Sequence, residues 1–200
     1  MPVWPGALAA AGAVAAGLAF TLLLLLRGER RRDDARVVGD DLLAAAGEIL
    51  GATFQPAAPR SRTGYRAAFG ALHGSAEGLT YAITVNDHRS EDVGHAACIT
   101  IQAPASFAVK LSASRLAPPH PGVTMADLFG RRTAQRIPEP AAAPLLRIVA
   151  VSGDFGIAER SLVAHSRPTV WHFPDRAGPA RLADFATEIL TAARQLLRSD

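Results

Sequence analysis

Residues 79–85, with the sequence LTYAITV, decide the fold. Large apolar side chains alternate here with smaller or polar ones, and a period of two predicts a strand with one buried face. Similar alternation occurs before and after this segment, and the connections are short, which favours an antiparallel meander. The other three predicted strands are marked by Tyr65, Ala67 and Phe69, by the CITI segment at 98–101, and by Phe107, Val109 and Leu111.

Helical patterns lie on both sides of the predicted meander. Residues 36–52 are predicted as an amphipathic helix with Val38, Leu42, Ala45 and Ile49 on one stripe. A C-terminal helix begins near Pro179, which is suited to a first turn. Its apolar face consists of Leu182, Phe185, Ile189, Ala193 and Leu196.

Three shorter elements complete the prediction. Thr124 is suited to the N-cap of a short helix through Met125, Leu128 and Phe129. The apolar runs at residues 145–151 and 169–173 are predicted as strands.

The predicted fold class is α+β, with one N-terminal transmembrane helix followed by an antiparallel meander sheet that is packed with amphipathic helices. Residues 1–32 are predicted as the anchor with a basic juxtamembrane cluster, and residues 33–63 as an amphipathic helix and a Pro-rich linker. Residues 64–200 are predicted as the soluble α+β domain.

The transmembrane helix is predicted at residues 7–26, which are twenty residues without a charged side chain. Such a helix is about 30 Å long, the thickness of a bilayer's hydrocarbon core. A cleaved signal peptide is the alternative, but arginines stand where a small-residue cleavage site would be expected. The membrane-flanking residues are Trp4, Arg27, Arg30, Arg31 and Arg32.

The arginines also predict the orientation, because cytoplasmic flanks are enriched in Lys and Arg. The N-terminus is expected outside the membrane and the domain in the cytoplasm. The abundance of Ala, Gly and Arg is typical of a GC-rich bacterial genome, so the location predicted is a bacterial inner membrane.

Ala9, Ala13 and Gly17 recur at four-residue spacing within the predicted transmembrane helix. Small residues so spaced let a second helix approach closely, which predicts a transmembrane partner or self-association in addition to the lipid bilayer. The alternative is that Ala and Gly are simply abundant in this sequence.

The distribution of charge argues against nucleic-acid binding. The pI is 9.7 and the net charge is +3, but residues 27–32 alone account for that charge. Residues 33–200 contain seventeen basic and seventeen acidic residues, so the soluble domain has no local excess with which to neutralise phosphates. Cys98 is the single cysteine, which excludes an intrachain disulfide.

Each cluster of residues that could bind a ligand or catalyse a reaction is explained better as an ordinary loop, turn or helix end. Residues 86–95 contain imidazoles and carboxylates without a known ligand spacing, and they are predicted as a solvated loop. The glycines at residues 152–156 lack a phosphate-binding motif and are predicted as a turn that ends a strand. Arg131, Arg132 and Arg136 could bind lipid head groups or an acidic partner, but a solvated helix end is favoured.

Nucleophilic catalysis has equally weak support. The chain has no G-x-S-x-G motif. Cys98 could pair with His73, His95 or His165, but its place in an apolar strand favours a core residue. His165 and His172 could hold a haem only in an apolar pocket that sequence does not show. We therefore expect no catalytic residues, no metal and no cofactor.

Two classes of function follow from this layout. The first is a non-catalytic, membrane-anchored accessory or scaffold subunit of a larger complex. The second is a membrane-tethered enzyme or ligand-sensing domain that uses the loop at residues 87–95 or the turn at Gly153.

Overall fold

The computed structural model describes Thr21 and residues 39–57, 70–86, 96–114, 116, 118–167 and 178–197. These residues form a seven-stranded sheet and five helices, and all the elements lie in the unit Gly39–Asp200. The strands are β1 Thr53–Gln55, β2 Ala71–Ala76, β3 Leu79–Asn86, β4 Ala96–Gln102, β5 Leu111–Ala113, β6 Ser152–Ile157 and β7 Ser161–Ser166. The helices are α1 at residues 39–50, α2 Met125–Phe129, α3 Arg131–Ala134, α4 Glu139–Val151 and α5 Gly178–Gln195.

All neighbouring strands are antiparallel, in the order β1-β2-β3-β4-β7-β6-β5. The α+β fold with an antiparallel sheet is confirmed, and β1 to β4 form a meander. The meander stops there, because β7 rather than β5 pairs with β4. The chain instead leaves the sheet after β4, forms β5 at the far edge, and returns through α2, α3 and α4 to complete the sheet with a hairpin of β6 and β7.

The core lies between one face of the sheet and the helices. Strand residues such as Ile83 and Ile99 point into it and are fully buried, and they alternate with outward residues as the sequence pattern predicts. Helix α5 contacts β3, β4, β7 and α4. Its five predicted apolar residues, Leu182, Phe185, Ile189, Ala193 and Leu196, are all buried.

The prediction of a membrane-anchored fold was wrong. Among the described residues, no helix is both long enough and apolar enough to cross a membrane. Helix α4 has 13 residues and is about 20 Å long, which is short of the roughly 30 Å of a bilayer core. Helix α5 has 18 residues but includes the charged Arg181, Asp184, Glu188 and Arg194. The structure therefore supports neither a transmembrane helix nor a single-pass, signal-anchor architecture.

The residues on which that prediction depended lie outside the described residues, apart from Thr21. They are residues 7–26, the stripe Ala9, Ala13 and Gly17, and the flanking Trp4, Arg27, Arg30, Arg31 and Arg32. The orientation, the inner-membrane location, and the bilayer and helix partners remain untested predictions.

Several smaller predictions were also wrong. Residues 145–151 belong to helix α4 and not to a strand. Their exposed positions are Arg147 and Ala150, so a single polar residue marks the solvent-facing side and the helical period is weak in the sequence. Residues 152–157 form β6 rather than a turn. Ile49 was placed on the buried stripe of α1, yet it is 59% exposed, and Leu43 and Ala46 are buried instead. The predicted strands at residues 65–69 and 169–173 lie outside the described residues.

The C-terminal end of α4 is capped from another element. The guanidinium of Arg167, which follows β7, donates to the carbonyl oxygens of Val149 and Ala150. The Ser152 hydroxyl donates to the Ile148 carbonyl over 2.7 Å. Carbonyls in the last turn of a helix lack partners within the helix, so these contacts tie α4 to the end of β7. At the start of α2, Thr124 forms the predicted N-cap with a complete capping box.

The hairpin between β2 and β3 is closed by Glu77 and Gly78, both of which have positive φ, at 51° and 86°. Such angles suit the tight turns that join twisted strands. Glu77 adopts this less favourable conformation while its carboxylate forms an ion pair with Arg194 of α5. Beside the turn, Gly74 lies under the ring of its cross-strand partner Tyr81, where no side chain would fit.

Candidate functional site

The face of the sheet opposite the core is exposed to half-exposed, and we call it the open face. It follows from the same alternation that builds the core, because every second residue of β3, β4, β6 and β7 points outward. On these four strands, Asp154 is the one charged residue among the outward positions whose exposure is described. The outward residues are otherwise Thr, Ser, Ala, Val, Gly, Gln, Cys and His.

The strand register arranges the open face in three rows that run across the strands. The central row consists of Gly156, Val163, Thr100 and Ala82, which are cross-strand partners in that order. On one side of it lies the Asp154 row, which consists of Asp154, His165, Cys98 and Thr84. On the other side lies the Lys110 row, which consists of Lys110, Ser161, Gln102 and Thr80.

Lys110 belongs to the third row by continuation of the β5 register. Leu111 pairs with Ile157 and Ser112 pairs with Gly156, so Lys110 is level with Ala158 at the turn into β7. Lys110 is exposed and is the only lysine of the chain. The open face therefore has a cation at one end of the β5 and β6 edge and an anion, Asp154, at the other end.

A shallow groove follows that edge. A cleft of about 310 Å³ is lined by Ser112, Asp154, Gly156 and His165 among others. A second cleft, of about 510 Å³, continues over Ser112 and Gly156 to Lys110. Gly156 forms the floor, and a Cβ at this position would meet no heavy atom within 4 Å. A third cleft of about 580 Å³ lies across β2, β3 and β4, beside His73 and Thr100.

The Asp154 row contains the residue types of a Cys-His-Asp catalytic triad. Cys98 is the cross-strand partner of His165, and His165 is the partner of Asp154, so the three side chains start from one face on adjacent strands. The bulge at Gly153 allows this arrangement, because it keeps Ser152 pointing inward to α4 while Asp154 points outward.

The surroundings of Cys98 do not suit a nucleophile. Burial raises the pKa of the Cys98 thiol, and hydrogen bonds with Thr100 and Thr84 oppose this only in part. A catalytic cysteine needs a lowered pKa and a basic partner that takes its proton. The thiol is hydrogen-bonded to the hydroxyl groups of Thr100 and Thr84, and its pKa is raised, so the row does not form an activated triad.

No metal site is formed in the part of the chain that the structure describes, where no three His, Cys, Asp or Glu side chains are grouped to hold an ion. This holds for Cys98, His165 and Asp154 as well. His88, Asp92 and His95 of the predicted loop, and His172, lie outside the described residues.

The remaining candidates are spread over the surface. Arg131, Arg132 and Arg136 are exposed in and just after the four-residue helix α3, where a solvated helix end was predicted. Gly153 is in strand β6 and not in a phosphate-binding turn. His73 is on the open face in β2, one strand beyond Ala82 of the central row.

The sequence analysis did not predict the outward residues of β3 and β4 as a candidate site. The signal was nevertheless present, because Thr80, Ala82, Thr84, Thr100 and Gln102 alternate with the core residues and none of them is charged. The contribution of β6 and β7 had no such signal, since β7 was not predicted.

Comparison with known proteins assigns this site no activity: no protein-family model, no curated protein and no solved structure matches the chain.

Proposed function

We propose that the described domain is a non-catalytic accessory or scaffold domain, and that it binds a protein partner through the open face of its sheet. The observation that carries this proposal is the composition of the three rows. Their twelve residues include only Asp154 and Lys110 as charged groups, and the four residues of the central row are small and uncharged.

An antiparallel sheet often has one solvated face, so exposure alone would not support a binding function. The lack of charge on this face is more informative. Protein interfaces are depleted of charged residues at their centre and keep polar residues at the rim. The open face has this arrangement, with Val163 and Ala82 in the centre and Asp154 and Lys110 at one edge.

The shape of the face favours a protein over a small molecule. Small-molecule sites are usually concave and enclose most of the ligand. The clefts of the open face are shallow, and the groove over Gly156 is open along its length. A flat, uncharged partner surface, such as the face of another β-sheet, fits this shape with little loss of solvation.

The row of Cys98, His165 and Asp154 is the one observation that favours an enzyme. The raised pKa of Cys98 and its bonds with Thr84 and Thr100 weigh against that function. The accessory function is therefore the better supported of the two.

Amine-directed crosslinking tests the proposal, because Lys110 is the only lysine of the chain and lies at the rim of the open face. The full chain would be crosslinked in its native cells, and the peptides joined to Lys110 identified by mass spectrometry. We expect Lys110 to be joined to a protein chain, with Ala82→Arg abolishing the link because it places a charge at the centre of the face.

Ala143→Arg is the matched control, since Ala143 is an exposed residue of α4 on the opposite side of the sheet. It should leave the crosslinks of Lys110 unchanged. If Lys110 forms no protein crosslink, or if Ala82→Arg and Ala143→Arg behave alike, the open face is not the binding surface.

A further inference from the structure

We infer that the partner of the open face is a second copy of this chain, packed face to face about a two-fold axis that runs along the central row. This inference rests on the proposed function and adds the identity of the partner. It is carried by the symmetry of the three rows, by the placement of the two charges, and by the shortness of the edge strands.

The central row suits a two-fold axis. A rotation about an axis in the plane of the face and perpendicular to the strands places each central residue opposite its own copy. The row consists of Gly156, Val163, Thr100 and Ala82, and none of these is too bulky or too charged to face itself. Two such sheets would pack with their strands within about 30° of each other, as in aligned sandwiches.

The same rotation places the Asp154 row of one copy opposite the Lys110 row of the other. Lys110 is level with Ala158, which is four residues from Asp154, so the backbone positions of Lys110 and Asp154 are about 13 Å apart along the strand direction within one copy. Asp154 of β6 then faces the partner's Ala158, and the partner's Lys110, one strand away on the β5 side, is within reach of Asp154 through its long side chain, which gives one contact of opposite charge at each end of the edge. The remaining pairs, such as His165 opposite Ser161, are uncharged or polar, so the arrangement brings no like charges together.

The area is sufficient for a weak dimer. Seven strands with about 4.8 Å between neighbours span about 29 Å, and five residues of strand span about 17 Å. Each copy would therefore contribute about 500 Å², and the pair about 1,000 Å², which is at the lower limit for a specific interface. Dimerisation is expected to depend on concentration.

Edge-to-edge pairing is a less favourable way for two copies to associate. The edge strands β1 and β5 each have three residues, and short edges limit the number of new backbone hydrogen bonds. The helical side is also unfavourable, because exposed charges such as Arg181, Asp184 and Arg194 are distributed over it. The open face is the broad, nearly uncharged surface of the described domain.

Charge exchange tests the inference directly. The mass of the full chain would be measured by sedimentation from about 1 to 100 µM, the range in which weak interfaces dissociate. We expect a dimer that Lys110→Glu or Asp154→Lys alone weakens by about tenfold, because each change replaces two attractive contacts with repulsive ones. The double variant should restore the wild-type dissociation constant to within about twofold.

A second experiment locates the axis. In a Cys98→Ser background that still dimerises, Ala82→Cys should be joined to its own copy by a short bismaleimide, because Ala82 lies on the axis. Ala143→Cys, on the helical side, should remain uncrosslinked. A dimer that joins through Ala143→Cys, or that is insensitive to both single charge changes, would place the interface elsewhere and overturn the inference.

The outcomes separate this inference from the proposed function. A wild-type chain that stays monomeric at the highest concentration overturns the second-copy partner. If its Lys110 is still crosslinked to a different protein in an Ala82→Arg-sensitive way, the accessory function stands. If neither a dimer nor such a crosslink occurs, both proposals fail.

Discussion

The two faces of the sheet are built from the same strands, yet they differ in what they tolerate. On β4, Ile99 and Ile101 point inward and are fully buried, whereas Cys98 and Thr100, which alternate with them, point outward and are half-exposed. The inner face is stabilised by close packing of large apolar side chains against α4 and α5. The open face has small side chains whose removal would leave little empty space. Stability is therefore expected to depend on one face and binding on the other.

The largest expected effect comes from placing a carboxylate on each face of β4. Ile99→Asp should unfold the domain or lower its stability by more than about 4 kcal/mol, because an unpaired charge is buried. Thr100→Asp, at the next residue, should lower stability by about 1 kcal/mol at most, the cost of a poor strand former on a half-exposed face. Urea unfolding of both variants in dilute solution measures the difference, and equal losses would show that the open face is packed.

A smaller effect is expected where α4 meets β7. Arg167→Met removes charged hydrogen bonds to the carbonyls of Val149 and Ala150 but keeps much of the side-chain volume. The loss should be about 2 kcal/mol, the usual value for a hydrogen bond to a charged group. Arg167→Lys should recover part of it in thermal unfolding. No loss in Arg167→Met would show that water replaces the cap without penalty.

The pH dependence of Cys98 alkylation shows how the environment of a thiol on the open face differs from bulk solvent. Burial raises its pKa above the ordinary value of 9.0, so alkylation by iodoacetamide should reach half its maximal rate above that pH. Because the pKa of the thiol is higher in the folded state than in the unfolded state, the protonated thiol stabilises the fold at pH values below the unfolded-state pKa. This stabilisation is lost as the pH rises through the folded-state pKa. Cys98→Ser should therefore reduce the loss of stability at alkaline pH. A half-maximal rate below pH 9.0 would instead indicate an activated thiol and favour an enzyme.

The smallest effect is expected at the surface of α5. Arg194 forms an ion pair with Glu77, but both side chains are more than half exposed, at 59% and 57%. Arg194→Asp should lower stability by less than about 1 kcal/mol, because exposed pairs contribute little. Ile189→Asp on the buried side of the same helix should unfold the domain. Thermal unfolding of both variants measures the two losses of stability, and similar losses would contradict this prediction.

Helices and strands whose apolar residues recur with a clear period could be predicted from the sequence, and those without such a period could not. The alternation at residues 79–85 and the stripe of the C-terminal helix both predicted the buried side chains correctly. The apolar run at residues 145–151 was misassigned, since Ala150 is apolar although exposed and only Arg147 marks the solvent-facing side of the helix. Strand β6 was missed because Gly153, Gly156 and a bulge interrupt its alternation, and β7 was missed because its outward residue Val163 is apolar like its inward neighbours. The anchor was inferred from the apolar length of residues 7–26 and from the arginines that follow them, and the described helices do not support it.

The candidate site shows the same division. Its β3 and β4 half could be predicted as one uncharged face, because Thr80, Ala82 and Thr84 alternate locally with core residues. Its other half depends on the pairing of β4 with β7, which joins residues 59 to 67 positions apart in sequence. No local pattern specifies that pairing.

The sequence by itself determined the α+β composition, the alternation of β3 and β4, and the buried face of α5, because each follows from a period that neighbouring residues express. It also determined that residues 33–200 are neutral in charge. Only the tertiary structure decided that Asp154, His165 and Cys98 share one row and that Lys110 lies across the central row from them. Pairing between distant strands is selected by burial of the whole inner face, and the order of the outward residues is a consequence of that selection.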